Sequence, residues 1–291
     1  MENIGKISSK EKSIKLDKKD RKILSLLMFD ARATISEISK KVELSKSNIS
    51  RRISQMEVAK LITGYHAFVD VSRIGINSTL VLLKTRATQL EKEKYLKKIV
   101  NKEEVYSLVE IIGEFDIVLG IYSKSEKEKN EILDLILKED FIKDFEICEI
   151  NTKFPRMNYT EEMFTNFPSE YLEKVETRNF EVDSKDLKIL QSLSKNCRIN
   201  SVDLAKELKL PRGTINYRIN KLVESGVIAK FQPTVNFFML ETEFYFLRFK
   251  LSKPSEKNKI GEYLSETLRA NTILESNGTY QIMAFLQFRN N

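Results

Sequence analysis

With 291 residues, 41% of them hydrophobic, the chain is long enough for two or more domains with real cores, which excludes a disordered tail. No apolar run reaches the roughly 18 residues that cross a bilayer, and residues 1–15 are polar and Lys-rich, unlike the apolar core of a signal segment. Cys148 and Cys197 stand far apart, outside any C-x-x-C pair, so we expect two small buried thiols and a cytoplasmic protein with no membrane partner, disulfide framework, zinc site or cofactor.

The net charge of +7 lies in two blocks. Residues 1–70 carry fifteen Lys and Arg against nine Asp and Glu, and residues 182–236 carry ten against five, whereas residues 71–153 carry fourteen against sixteen. Two separated basic blocks suit two polyanion-binding surfaces. The blocks are copies of one another. At an offset of 166, Asp17 meets Asp183, Asp20 meets Asp186, Ile23-Leu24 meets Ile189-Leu190, Arg32 meets Arg198, Lys40 meets Lys206, Ile49 meets Ile215 and Arg52-Ile53 meets Arg218-Ile219. The match runs without a gap for more than fifty residues, so one module is used twice.

In chain order, residues 1–15 read as a basic tail. Asp17 is placed to cap a first helix carrying Ile23, Leu24, Leu27 and Met28 at helical spacing. Thr34 caps a second helix with Ile35, Ile38 and Val42, and Glu43-Leu44-Ser45 makes a short turn. Ser45 caps a third helix with Ile49, Ile53 and Met56 inward. Three short helices so joined describe a helix-turn-helix. Residues 61–71 then alternate toward strand, with Gly64 allowing a turn, and read as a small wing that completes residues 16–72. The second copy, residues 182–237, repeats the plan with Asp183, then Ser201 or Asn200, as caps, Pro211 in the first turn of its third helix and Gly226 ending it.

The third helix of such a motif presents its N-terminal residues to base edges. In the first copy those are Ser45, Lys46, Ser47, Asn48, Ser50 and Arg51; in the second they are Arg212, Gly213, Thr214, Asn216 and Tyr217. Arg and Lys pair with guanine, Asn with adenine, and all reach phosphates, so double-stranded DNA is the expected partner. Arg52 and Arg218 neighbour the inner stripe. Each serves either as a phosphate contact or as a partner for the opening helix, at Asp20 and Asp186.

Residues 73–153 read βαββαβ: strands at 79–85, 105–112, 116–122 and 145–151, helices at 91–100 and 126–137. That order suits an antiparallel, ferredoxin-like sheet with two helices on one face. Residues 154–181, with Pro155 and Pro168, read as a linker with a short helix near 169–175. Residues 238–291 start the βαββ pattern again, at 244–251, 256–268, 272–276 and 281–288, and stop short of the last helix and strand; such a sheet exposes an edge and part of a core face. The fold class is therefore α+β: two winged helix-turn-helix domains, each followed by a βαββαβ domain, the second incomplete.

The stretches LDKKDRKIL, ARATISEISKKVELSKSNISRRI and LITGYHAFVD, with VDSKDLKIL, RINSVDLAKELKLPRGTINYRINKL and SGVIAKF in the second copy, resemble the leucine-responsive and asparagine-synthesis regulator (Lrp/AsnC) family. The resemblance implies transcription control tuned by an amino acid or related metabolite held between effector domains, and self-association through those domains. Family members usually carry one copy and dimerise, so this chain is expected either to mimic that dimer alone or to form homo-oligomers. The family's Gly-x-aromatic-Asp turn stands here as Gly113-Glu114-Phe115-Asp116, which makes Gly113, Phe115 and Asp116 candidate effector contacts; a hairpin turn needing positive φ at Gly113 is the structural alternative. In the second copy the turn is Gly278-Thr279-Tyr280-Gln281, without the Asp.

Some haem-pathway decarboxylases share this layout, so an enzyme is the rival reading. His66, in the wing, is the only histidine, and no Cys–His pair or phosphate-binding Gly loop is present. We therefore expect no catalytic residues. A metabolite sensor without DNA binding is a third reading, against which the two basic blocks argue.

Overall fold

The computed structural model describes residues 13–151, 181–266, 270 and 272–289. The first module opens with α1 (Lys18–Phe29), α2 (Ile35–Val42) and α3 (Lys46–Val58), followed by strand β1 (Ile62–Val69). The second repeats it as α6 (Ser184–Lys195), α7 (Ser201–Leu208), α8 (Arg212–Glu224) and β6 (Ile228–Val235). Between them run β2 (Asn77–Thr85), α4 (Gln89–Ile99), β3 (Val105–Glu110), β4 (Ile117–Ser123), α5 (Glu126–Leu137) and β5 (Ile142–Asn151). After them come β7 (Thr242–Phe249), α9 (Lys257–Glu266), β8 (Thr272–Ser276) and β9 (Ile282–Arg289). The expected linker helix near 169–175 and most of the basic tail lie outside the described residues.

Local chemistry sets the helix starts. Asp17, Thr34 and Asp183 each head a reciprocal capping box with Asp20, Glu37 and Asp186, and Ser45 and Asn200 accept backbone N–H groups at α3 and α7. Helix α8 is the exception: Pro211 stands at its cap and supplies no side-chain bond. The turn between the second and third helices needs a left-handed residue, filled by Glu43 (φ 60°) in one copy and its equivalent Lys209 (φ 54°) in the other. Neither is glycine, so both carry backbone strain. Glu43→Gly and Lys209→Gly are each expected to raise stability by about 0.5 kcal/mol, read as a higher urea midpoint; lower midpoints would show that the strain is already compensated.

The wing departs from expectation. Neither copy folds a hairpin, and Gly64 lies inside a strand. Strand β1 pairs antiparallel with β6 as a two-stranded sheet, with Gly64↔Thr234, Tyr65↔Pro233, His66↔Gln232, Ala67↔Phe231 and Phe68↔Lys230. Each copy supplies one strand, so no turn is needed. At the repeat offset of 166, His66 and Gln232 are equivalent residues, and the pairing is symmetric about them. The flanking bonds obey the same symmetry. Ala31 N–H donates to Phe231 O and Cys197 N–H to Tyr65 O, both at 3.0 Å; Asp70 N–H donates to Val227 O (2.9 Å) and Asn236 N–H to Leu61 O (2.8 Å). Arg32 lies over the Phe231 ring and Arg198 over the Tyr65 ring, at 5.3 and 4.9 Å. The two modules are therefore related by a pseudo-twofold axis through the wings, the geometry of an isologous dimer contact.

The cores interlock across that axis. Val235, Phe237 and Met239 of the second module join Ile23, Leu24, Ile49 and Ile53 of the first, while Ala31 and Ala67 join Ile189, Leu193, Ile215 and Leu222. The βαββαβ segments merge into one seven-stranded antiparallel sheet, ordered β3-β4-β2-β5-β8-β9-β7, joined where Ile150 pairs with Ser276 and Asn151 with Glu275. Helices α4 and α5 cover one face of the first half through Tyr95, Ile99, Ile132 and Ile136. Its other face packs Leu80, Leu82, Phe115 and Cys148 against Phe246, Leu274 and Met283 of the second half. Among the described residues β7 has a partner on one side, β9, and Tyr245, Leu247 and Phe288 are well exposed where their first-half equivalents Thr79, Val81 and Ser123 are buried. Both cysteines are free and buried, and burial pushes their thiols up, to about 12 at Cys148 and about 11 at Cys197.

Candidate DNA-binding interface

Helices α3 and α8 are held by the same device. Arg52 Nη1 donates to Asp17 Oδ2 (2.7 Å) and Asp20 Oδ1 (2.6 Å); Arg218 Nη1 lies 2.9 Å from Asp183 Oδ2 and 2.8 Å from Asp186 Oδ1. In both modules the carboxylates that cap the opening helix also grip the third helix, which fixes the angle between them. The backbone N–H groups of Asp20 and Asp186 hold the Asp17 and Asp183 carboxyls below the ordinary carboxylate range, with the guanidinium adding to the effect. Of the two roles open to Arg52 and Arg218, the structure shows the pairing with the opening helix. They do not stand with the outward-facing set.

That set is solvent-exposed at Ser45, Lys46, Ser47, Ser50 and Arg51 of the first copy and at Arg212, Gly213, Asn216 and Tyr217 of the second, while Asn48 and Thr214 are partly buried. The two surfaces differ in chemistry. Asn48 Oδ1 accepts from Arg51 Nη2 (3.1 Å), and Arg51 Nη1 reaches Gln55 Oε1 (3.0 Å), giving a linked polar strip. On α8 Tyr217 is 64% exposed, with Lys221 Nζ 6.0 Å from its ring centre. Gly213 has open space where a side chain would sit. The two helices thus present unlike sets of donors on symmetric scaffolds.

The effector candidates fall in the turn between β3 and β4. Gly113 does not adopt a left-handed φ, unlike Gly75 and Gly226, so positive φ does not explain it. Asp116 anchors its turn: its Oδ2 accepts from Thr85 N–H (2.6 Å), and Lys84 Nζ lies 3.4 Å from Oδ1. Burial pulls its carboxyl up, but those two contacts outweigh burial and hold it below the ordinary range. Gln281 repeats the anchor, its Oε1 accepting from Leu251 N–H at 2.8 Å. The missing Asp of the second turn is therefore replaced in kind. Phe115 is buried against Arg248, whose guanidinium lies 4.9 Å from its ring centre and 4.1 Å from that of Tyr280. Reading the sequence missed Arg248; the signal was one cation inside the apolar strand TEFYFLRF.

His66 is partly buried in the wing, with Gln232 Nε2 3.2 Å from its Nε2 and Thr234 Oγ1 3.0 Å from its Nδ1. Burial lowers its pKa. Among the described residues no cluster of three His, Cys, Asp or Glu could hold a metal ion, and no helix is long and apolar enough to cross a membrane.

Comparison with known proteins agrees with this geometry. Residues 16–57 match the AsnC-type helix-turn-helix domain and residues 182–229 the winged helix-turn-helix DNA-binding domain. The chain is 31% identical over 124 residues to the HTH-type transcriptional regulator FL11 of Pyrococcus abyssi, a match covering 42% of this chain and 81% of that one. It is 37% identical over 123 residues to the proline dehydrogenase transcriptional activator of Rhodobacter capsulatus, covering 40% and 78%. Each match thus takes most of the relative but less than half of this chain, as a doubled module should. Among solved structures, the siroheme decarboxylase NirDL superposes with a TM-score of 0.63 over 94% of this chain and 82% of its own, at 12% identity, which is a likeness of fold. With a helix-turn-helix in both modules and regulator relatives matched over about four fifths of their length, the chain belongs to the Lrp/AsnC family of DNA-binding, helix-turn-helix transcription regulators.

Proposed function

We propose that one chain is a complete operator-reading unit, standing in for the family's dimer and reading an asymmetric site with two unlike helices. The observation that carries this reading is the wing sheet, in which equivalent residues of the two copies pair across one axis. Lys46, Ser47, Asn48, Ser50 and Arg51 serve one half-site; Arg212, Gly213, Thr214, Asn216 and Tyr217 serve the other. Selection of bound sequences from a random DNA pool should return two unlike half-sites at fixed spacing, with one chain per duplex by mass. Two chains per duplex, or a perfect palindrome, would sink the reading. An amino acid or related metabolite tunes binding through the sheet, meeting the open side of the Gly113 turn, with Asp116 as its anchor. A thermal-shift screen of the twenty amino acids, repeated on Gly113→Val, tests that part.

The fold likeness to a tetrapyrrole decarboxylase raises a second reading, which we propose to be wrong for this chain. The only histidine is paired within the two-stranded wing sheet, to Gln232 and Thr234, and not in the seven-stranded sheet that carries the Gly113 turn. Titration with haem or siroheme should leave the Soret band unshifted. A saturable shift with loss of a carboxylate from the porphyrin would restore the enzyme.

A further inference from the structure

Arg248 has no counterpart in the first half. Asp116 and Gln281 make the same backbone bonds, to Leu83 O and Thr85 N–H in one half and to Phe249 O and Leu251 N–H in the other. That alignment sets Phe115 against Tyr280, Glu114 against Thr279, and Arg248 against Leu82. Arg248 therefore lies between the equivalent aromatic residues of the two turns. Its side chain is 10% exposed and pairs with Glu114 and Glu146 of the first half. Leu82 is buried in the same apolar layer.

We infer that Arg248 is the specificity determinant that commits the second effector half to the first, and that like halves are charge-mismatched at this seam. Two first halves would bring Glu114 and Glu146 together with their copies and offer Leu82 twice, with no cation. Two second halves would bring two Arg248 guanidiniums together beside Thr279, without those carboxylates. Only the unlike pairing sets a cation among those carboxylates and cages the guanidinium between two rings. A buried charge left without its partner is strongly unfavourable, and a repulsive element against the wrong partner is how specificity is commonly built.

The inference rests on the single-chain reading above, but its test uses no DNA, so each can fail without the other. The full chain is compared as wild type, Arg248→Glu, and the reversal Arg248→Glu/Glu114→Arg/Glu146→Arg. Amide exchange is read at the β5–β8 junction (residues 150, 151, 275 and 276), and chain association by sedimentation velocity. Arg248→Glu should speed exchange at the junction by roughly tenfold or more and add multi-chain species, while protection in α3 and α8 stays. The reversal should restore both readings. Unchanged exchange and mass in Arg248→Glu, or no recovery in the reversal, overturns the inference. Should Arg248→Glu not fold, Arg248→Leu takes its place: it should loosen the junction, and Glu114→Gln with Glu146→Gln should tighten it again. A packing role alone would leave Arg248→Leu loosened with or without those two changes.

Discussion

Alanine at Lys46, Arg51 and Arg212 together is expected to weaken DNA binding by roughly a hundredfold and to flatten its salt dependence. Each phosphate neutralised contributes about 0.9 to the slope of log affinity against log salt, so the slope should shrink by as much as about 2.7. All three side chains are exposed on third helices, and the carboxylate grip falls on Arg52 and Arg218 instead. The variant should fold normally, because none of the three contributes to a core. Fluorescence anisotropy with a fragment from upstream of the chain's own gene, at several salt concentrations, measures it. An unchanged slope would mean that these helices do not contact the duplex.

Arg218→Ala should behave in the opposite way, costing about 2 kcal/mol of stability while leaving the salt slope of the remaining folded protein alone. Its partner Asp186 has a side chain only 4% exposed, so the loss strands a buried carboxylate. Arg52→Ala should cost less, since Asp20 is 18% exposed. Chemical denaturation gives the stability and anisotropy the slope; a slope reduced by about 0.9 with stability intact would make Arg218 a phosphate contact instead. The same clusters set an acid limit. The Asp17 and Asp183 carboxyls titrate below their unfolded value, so their contribution is complete above the ordinary carboxylate range. It is lost as pH falls through the lowered value. Thermal melts should therefore fall below about pH 4, and less steeply in a variant lacking both arginines.

The helices were legible because their signals are local. Asp17, Thr34 and Ser45 sit where a cap must, each followed by an apolar stripe at helical spacing, and the βαββαβ order follows from alternation and turn residues within a few positions. The wing was not legible, because its partner strand lies 166 residues away and Gly64 imitates a turn. Arg52 and Arg218 were left with two roles because spacing puts them beside the inner stripe without saying which carboxylate is in reach. Gly113 misled for a related reason: a glycine in a turn suggests positive φ, and this one has an ordinary backbone. Arg248 becomes legible only when the two halves are aligned through the Asp116 and Gln281 anchors, since its meaning lies in having replaced Leu82.

The shared wing has a consequence for gene control at low copy number. A regulator assembled from separate subunits loses its active form faster than in proportion as the cell dilutes it, because assembly is bimolecular. Here the two reading helices are tied by one backbone, and their encounter is intramolecular at any dilution. With one chain as the operator-reading unit proposed above, operator occupancy should rise hyperbolically with the number of chains, with a Hill coefficient near one. A few molecules per cell would suffice for a graded response, and each half would be free to drift toward its own half-site.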